Sequence, residues 1–180
     1  MKLTSRDFLL TIASIGALTL VCRPALAEPA TAAAYIVIDH HSGHVLKEFN
    51  ANKKLQVASL TKIATAAVVL DWASASNQNL DQLATVPSFR PEVASAQGVQ
   101  WMPGDRATLK DLLYAALLQS DNVAAETLAS HVGSSLSGGK DPELHAVSFI
   151  AQMNALARKL NMPDTRFLNP HGLESLERKL

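Results

Sequence analysis

From Leu109 to Gly133 the chain carries an apolar pattern at helical spacing that is broken once, by the polar triplet Ser120-Asp121-Asn122. Leu109, Leu112, Leu113, Ala116 and Leu117 share one side of a first helix, and Val123, Ala124, Thr127 and Leu128 continue the pattern in a second that is expected to end near Gly133. Each helix must bury its apolar side against other elements. Three polar residues between them are costly to bury unless they satisfy one another or face a cleft. The plain reading is a corner between helices, because Ser, Asp and Asn favour caps and turns. The alternative is a helical cluster that opens a polar cleft at this point.

The segments on either side fill in the cluster. Thr108-Leu109-Lys110-Asp111, after the turn Pro103-Gly104-Asp105, has the form of a capping box with Asp in the place of Glu or Gln. Ile63, Ala66, Ala67 and Leu70 recur at three- and four-residue intervals, which predicts a mostly buried helix beginning at Ser59. Asp141-Pro142 supplies an N-cap with proline in the first helical position, and the helix behind it carries Phe149, Met153, Leu156 and Leu160 and stops before Pro163. Between these helices, residues 134–140 read as a Ser/Gly loop and residues 74–102 as loop with short strand or helix pieces. Towards the N-terminus, Tyr35-Ile36-Val37-Ile38-Asp39 and Val45-Leu46-Lys47-Glu48-Phe49 flank a turn containing Gly43, which predicts a hairpin. The class is therefore α+β, an antiparallel sheet packed against a helical cluster.

The first residues have a different character. Lys2 and Arg6 precede 14 residues without charge, Phe8 to Val21, and then the small-residue triplet Ala25-Leu26-Ala27. That layout predicts a secretory signal peptide over residues 1–27. The apolar run is short for a membrane span, which needs about 20 residues, so no firm membrane anchor is expected. Val21 before Cys22, where lipoprotein processing would want a small residue, argues against that route. Cleavage after Ala27 leaves 153 of the 180 residues and removes Cys22, the only cysteine, so the mature chain must be held by its core alone. With 16 basic and 16 acidic residues in the whole chain there is no basic excess suited to nucleic acid. His40, His41 and His44 share a turn with no fixed carboxylate or cysteine and are expected to be solvated rather than to bind metal.

Ser59-Leu60-Thr61-Lys62 carries candidate chemistry. A serine in the first turn of a helix has the positive end of the helix dipole beside its hydroxyl. A lysine three residues on lies on the same face. Between apolar residues its charged form is disfavoured, so a neutral amine able to act as a base results. The spacing alone is weak: Ser137-Gly138-Gly139-Lys140 has it too, and an N-cap serine with a snorkelling lysine would also satisfy it. Two details separate the pairs, because a helix follows Ser59 and because Ser120-Asp121-Asn122 stands 61 residues later.

Ser-x-x-Lys with Ser-Asp-Asn is the opening of the signature of penicillin-binding proteins and class A β-lactamases. Together with Asp111-Leu112-Leu113-Tyr114, Met153-Asn154-Ala155-Leu156-Ala157 and Thr165-Arg166-Phe167-Leu168-Asn169-Pro170-His171-Gly172-Leu173, the sequence from about Ala34 to Leu173 resembles the serine D-alanyl-D-alanine carboxypeptidases, the low-molecular-mass penicillin-binding proteins. The resemblance implies a β-lactamase/transpeptidase-like fold. It makes Ser59 the nucleophile, Lys62 its base, Ser120 a proton relay to the leaving D-alanine and Asn122 a residue that orients the substrate backbone. It further implies a peptidoglycan stem peptide ending in D-Ala-D-Ala as substrate, β-lactams as inhibitors, no cofactor, and an exported protein of the periplasm or cell envelope.

The family's third motif, Lys-Thr-Gly or Lys-Ser-Gly, has no counterpart here, since no lysine is followed by Thr-Gly or Ser-Gly. In the family that strand lines the cleft and gives one oxyanion amide, so residues 28–180 are expected to be a C-terminally truncated catalytic domain with little activity alone. A non-catalytic wall-binding remnant and a serine β-lactamase are the competing readings. The second lacks, after Ser120-Asp121-Asn122, a deacylating Glu followed four residues later by Asn. His171 is expected to shape a turn, and Trp72 and Trp101 to line core or cleft.

Overall fold

The computed structural model describes residues 31–94, 98–138 and 141–173. The signal peptide expected over residues 1–27, Gly139 and Lys140 lie outside them. The chain divides at Lys53/Lys54 into two compact units.

The first unit is the expected hairpin, β1 (Tyr35–Ile38) and β2 (Val45–Phe49), antiparallel with Tyr35 opposite Phe49 and Val37 opposite Lys47. Its turn is closed by Asp39, whose carboxylate accepts from the Ser42 amide and hydroxyl and is thereby held below the usual carboxylate range. Gly43 takes the positive φ of 70° that the turn requires.

The second unit contains α1 (Thr61–Ala75), β3 (Leu83–Thr85), β4 (Arg106–Thr108), α2 (Leu109–Leu118), α3 (Asn122–Ser137) and α4 (Pro142–Lys159), with short 3-10 turns at Ala58–Leu60 and Pro91–Val93. β3 and β4 pair antiparallel, Ala84 facing Ala107, and Ala84 is fully buried in the common core. Thr108 caps α2 by accepting from the Asp111 amide, while its hydroxyl donates to the Asp111 carboxylate, so the shorter acidic side chain meets the cap hydroxyl in place of the cap's backbone amide. Asp141 caps α4 through the Glu143 amide with Pro142 next in line, as expected. Val69 of α1, Leu109 and Leu112 of α2, Leu128 and Val132 of α3, and Phe149 and Met153 of α4 are completely buried. Each such side chain contributes about 1.5–3 kcal/mol over its exposed state.

Two expectations change. In α1 the buried side is Thr61, Lys62, Thr65, Ala66, Val68, Val69 and Ala73, while Ile63 and Leu70 are exposed. The segment has apolar residues on all sides, so spacing alone does not select the face that is covered. The second correction concerns α3, which runs four residues past Gly133 to Ser137 and ends at Gly138 with φ +63°. Ser137 is therefore helical rather than part of a loop. Gly133 is not a cap but a point of close approach: a Cβ there would overlap the His145 backbone of α4. Gly133→Ala is expected to destabilise the fold by about 2 kcal/mol or more through that overlap, against a helix-propensity gain of about 1 kcal/mol. Urea unfolding checks the sign, since a net gain in stability would mean the two helices part without cost.

Candidate active site

Ser59 sits in the 3-10 turn Ala58–Leu60 immediately before α1, and Lys62 is the second residue of the helix proper. Entry into the turn needs an unusual backbone, since Ala58 has φ +45°. Positive φ in a residue with a Cβ costs of order 1–3 kcal/mol and persists where the surroundings enforce it, commonly at functional sites. The segment 169–173 packs directly against this residue. Gly172, φ +83°, lies so close that a Cβ on it would overlap the Ala58 carbonyl.

The corner between α2 and α3 approaches from the other side. Gln119 and Asp121 both donate their amides to the Ala115 carbonyl, which turns the chain tightly, and Ser120 between them takes φ +58°. Asp121 caps α3 through its Oδ1 and the Ala124 amide at 2.9 Å, while its Oδ2 accepts from the Trp101 indole at 3.0 Å. The buried carboxylate is thus satisfied twice. Trp101, expected in core or cleft wall, is the support of this corner.

Lys62 lies where these parts meet. Its side chain is only 2% exposed, and Nζ is 3.2 Å from Ser59 Oγ, 3.4 Å from Ser120 Oγ and 3.1 Å from the His171 carbonyl oxygen. Burial lowers its pKa below the ordinary lysine value, and the nearby Asp121 charge opposes this more weakly. An open cleft of about 330 Å³ leads to the amine, with apolar walls from Val57, Leu60, Ile63 and Leu117. The arrangement gives a solvent-exposed serine at a helix N-terminus and a buried amine of lowered basicity within reach of its hydroxyl. A second exposed hydroxyl, that of Ser120, is within reach of the same amine. That set can deprotonate Ser59 and return the proton to a leaving group.

Ser59, Lys62 and Ser120 are therefore brought together as the sequence predicts. Asn122, the first residue of α3 and two positions after Ser120, is partly buried and makes no hydrogen bond to Lys62. The snorkelling alternative for Lys62 is overturned by its burial. Sequence reasoning missed the scaffold behind the triad. Thr65 donates to the Pro170 carbonyl at 2.6 Å, and Asn154 pins the same segment by accepting from the Phe167 amide and donating to its carbonyl, each at 2.9 Å. His171 was read only as a turn former; it is 5% exposed and bonded to Glu126. Among the described residues no group of three or more His, Cys, Asp or Glu side chains is placed to hold a metal ion.

A family model described as D-alanyl-D-alanine carboxypeptidase matches residues 23–180. The D-alanyl-D-alanine carboxypeptidase DacC of Escherichia coli strain K12 is 36% identical over 149 residues, covering 80% of this chain and 35% of the relative. A D-alanyl-D-alanine endopeptidase of Pseudomonas aeruginosa is 35% identical over 140 residues, covering 77% and 40%. Among solved structures, penicillin binding protein 6B from Escherichia coli superposes with a TM-score of 0.66 at 27% identity, over 85% of this chain and 47% of that one. A mutant of the Streptomyces K15 DD-transpeptidase gives 0.69 at 29% identity, over 83% and 56%. The likeness confirms the α+β, penicillin-binding type of fold. The chain spans between a third and two fifths of the length of these curated relatives. With a family model that spans residues 23–180, the chain belongs to the D-alanyl-D-alanine carboxypeptidase family.

Proposed function

We propose that this chain carries the acylating half of a serine-type D-Ala-D-Ala carboxypeptidase. The observation that supports it is the buried Lys62 amine 3.2 Å from Ser59 Oγ and 3.4 Å from Ser120 Oγ. Ser59 Oγ attacks the carbonyl between the two terminal D-alanines of a peptidoglycan stem peptide while Lys62 takes its proton. The tetrahedral adduct collapses by breaking the C–N bond, and the D-alanine amine leaves with the proton relayed through Ser120. Water then attacks the Ser59 ester while Lys62 takes one of its protons, and Lys62 passes that proton to the departing Ser59 oxygen, which releases the shortened peptide as its carboxylic acid and restores both residues. Asn122 orients the substrate backbone from the start of α3. A β-lactam acylates the same Ser59 oxygen.

Export to the envelope, with residues 1–27 as the cleaved signal and 28–180 as catalytic domain, completes the proposal. It rests on the charge, apolar run and Ala25-Leu26-Ala27 of the N-terminus. No helix among the described residues is long and apolar enough to cross a membrane. The Ser59 amide, in the 3-10 turn that leads into α1, is one donor to the oxyanion.

The test is labelling of the chain by a fluorescent penicillin beside Ser59→Ala. Label that accumulates with time and is absent from Ser59→Ala supports the proposal. A folded chain that labels equally without Ser59 overturns it, and one that stays unlabelled overturns it in favour of the wall-binding remnant.

A further inference from the structure

The three acceptors around Lys62 Nζ are not equivalent. The Ser59 and Ser120 hydroxyls are exposed and rotate, whereas the His171 carbonyl is backbone and fixed. A lysine side chain has about 2 kcal/mol of rotamer entropy to lose when it is ordered. What fixes that carbonyl therefore helps decide where the amine stays.

Most bonds of the 169–173 turn are internal. Asn169 Oδ1 accepts from the amides of His171 and Gly172, Asn169 Nδ2 donates to the Leu173 carbonyl, and the Leu173 amide donates to His171 Nδ1 at 3.1 Å. Such bonds shape the turn without placing it. Placement comes from the Thr65 bond to Pro170 and from His171 Nε2, 3.0 Å from Glu126 Oε1. Because Nδ1 accepts from Leu173 it carries the lone pair. The proton of the neutral ring is then on Nε2 and is donated to the carboxylate. The side chains are 6% and 26% exposed, so this charge-assisted bond is partly shielded from water.

Glu126 stands four residues after Asn122 on α3, the same helical face one turn on. The helix that begins at the Ser120 corner thus also holds the turn that presents the His171 carbonyl. Neither Glu126 nor His171 has a part in the chemistry of the proposed reaction.

We propose that Glu126 and His171 form a positioning pair for Lys62: their hydrogen bond locks the 169–173 turn to α3, so that the His171 carbonyl keeps the amine between Ser59 and Ser120. Its catalytic consequence rests on the function proposed above, but the placement of Lys62 does not. The direct readout is the order of the Lys62 Cε methylene by carbon relaxation on lysine-labelled full chain, the signal assigned by its loss in Lys62→Arg. The order falls in Glu126→Ala and recovers in Glu126→Gln, whose amide oxygen still accepts from Nε2–H. The downstream readout is the acylation rate at saturating fluorescent penicillin. It drops by about 10-fold in Glu126→Ala and by no more than about 2-fold in Glu126→Gln, with the penicillin Kd nearly constant, because misplacing a base costs rate rather than affinity.

If Glu126→Ala does not fold, Glu126→Asp, which keeps the charge but withdraws the oxygen by one methylene, is read in the same way. Unchanged Lys62 order in a folded variant overturns the pairing even if acylation has slowed. A chain that is never acylated but whose Lys62 order follows Glu126 overturns the proposed function and leaves the positioning pair standing.

Discussion

Replacing Lys62 by methionine is expected to slow acylation of Ser59 by about 1,000-fold, within the range that removal of a positioned general base costs. Methionine fills a similar volume in the buried position, so packing is largely kept and the loss reports the amine. The wild-type rate should rise with pH as Lys62 loses its proton, with a midpoint below the ordinary lysine range, because burial lowers that pKa. In Lys62→Met this limb disappears. Stability gives an independent check. The folded pKa of Lys62 lies below its unfolded value, so between the two the unfolded chain binds more protons than the native one. The stability of the native chain therefore rises with pH across that window. Below the folded pKa the cost of a buried charge is present in full. The methionine variant lacks this slope, while its orphaned His171 carbonyl costs about 1–3 kcal/mol. Rate against pH by stopped-flow penicillin quenching and unfolding midpoints against pH check both limbs. A wild-type rate that does not depend on pH between neutrality and the lysine range would remove Lys62 from the role of base.

The residues that meet at Lys62 were more legible in the sequence than the turn that supports them. Ser59 and Lys62 are three residues apart on one helix, a relation that helical geometry dictates. The polar triplet at Ser120-Asp121-Asn122 marked a break in the apolar pattern that fits a helix corner as well as a cleft, and the structure makes it both. Pairing that corner with Lys62, 58 residues earlier, needed the family resemblance, since periodicity carries no tertiary distance. The caps at Thr108 and Asp141 were local and came out as expected. Which face of α1 is covered was not local: Ile63 and Leu70 look as fit for burial as Val68 and Val69, and only the position of the other helices separates them. Gly133 read as a helix end because glycine ends helices, whereas here it admits the α4 backbone. Glu126 offered no signal at all. A glutamate on a helix is by default a solvated residue, and its partner His171 is 45 positions away.

Gly172 unites these long-range effects, and Gly172→Ala is expected to be among the most damaging single-methyl additions in the chain. Two costs coincide. The residue has φ +83°, a conformation that a Cβ makes unfavourable, and the added carbon would overlap the Ala58 carbonyl and press on the Thr61 hydroxyl. Overpacking alone costs about 1–3 kcal/mol, and strain from positive φ is of order 1 kcal/mol or more, so a loss of about 3 kcal/mol or more is expected. The chain can relieve the overlap in only two ways. It can move the 169–173 turn away, which takes the His171 carbonyl from Lys62 and the Pro170 carbonyl from Thr65. Or it can move Ala58, which shifts Ser59, the next residue, off its 3.2 Å contact with the amine. Either route separates nucleophile and base, and a displacement of about 1 Å is enough to cost roughly 100-fold in rate. Thermal unfolding and penicillin labelling of Gly172→Ala should therefore fall together, whereas Gly133→Ala, whose overlap lies between α3 and α4, should lose stability with labelling of the folded fraction nearly intact. Equal labelling rates for folded Gly172→Ala and wild type would mean that the turn does not set the geometry of Ser59 and Lys62.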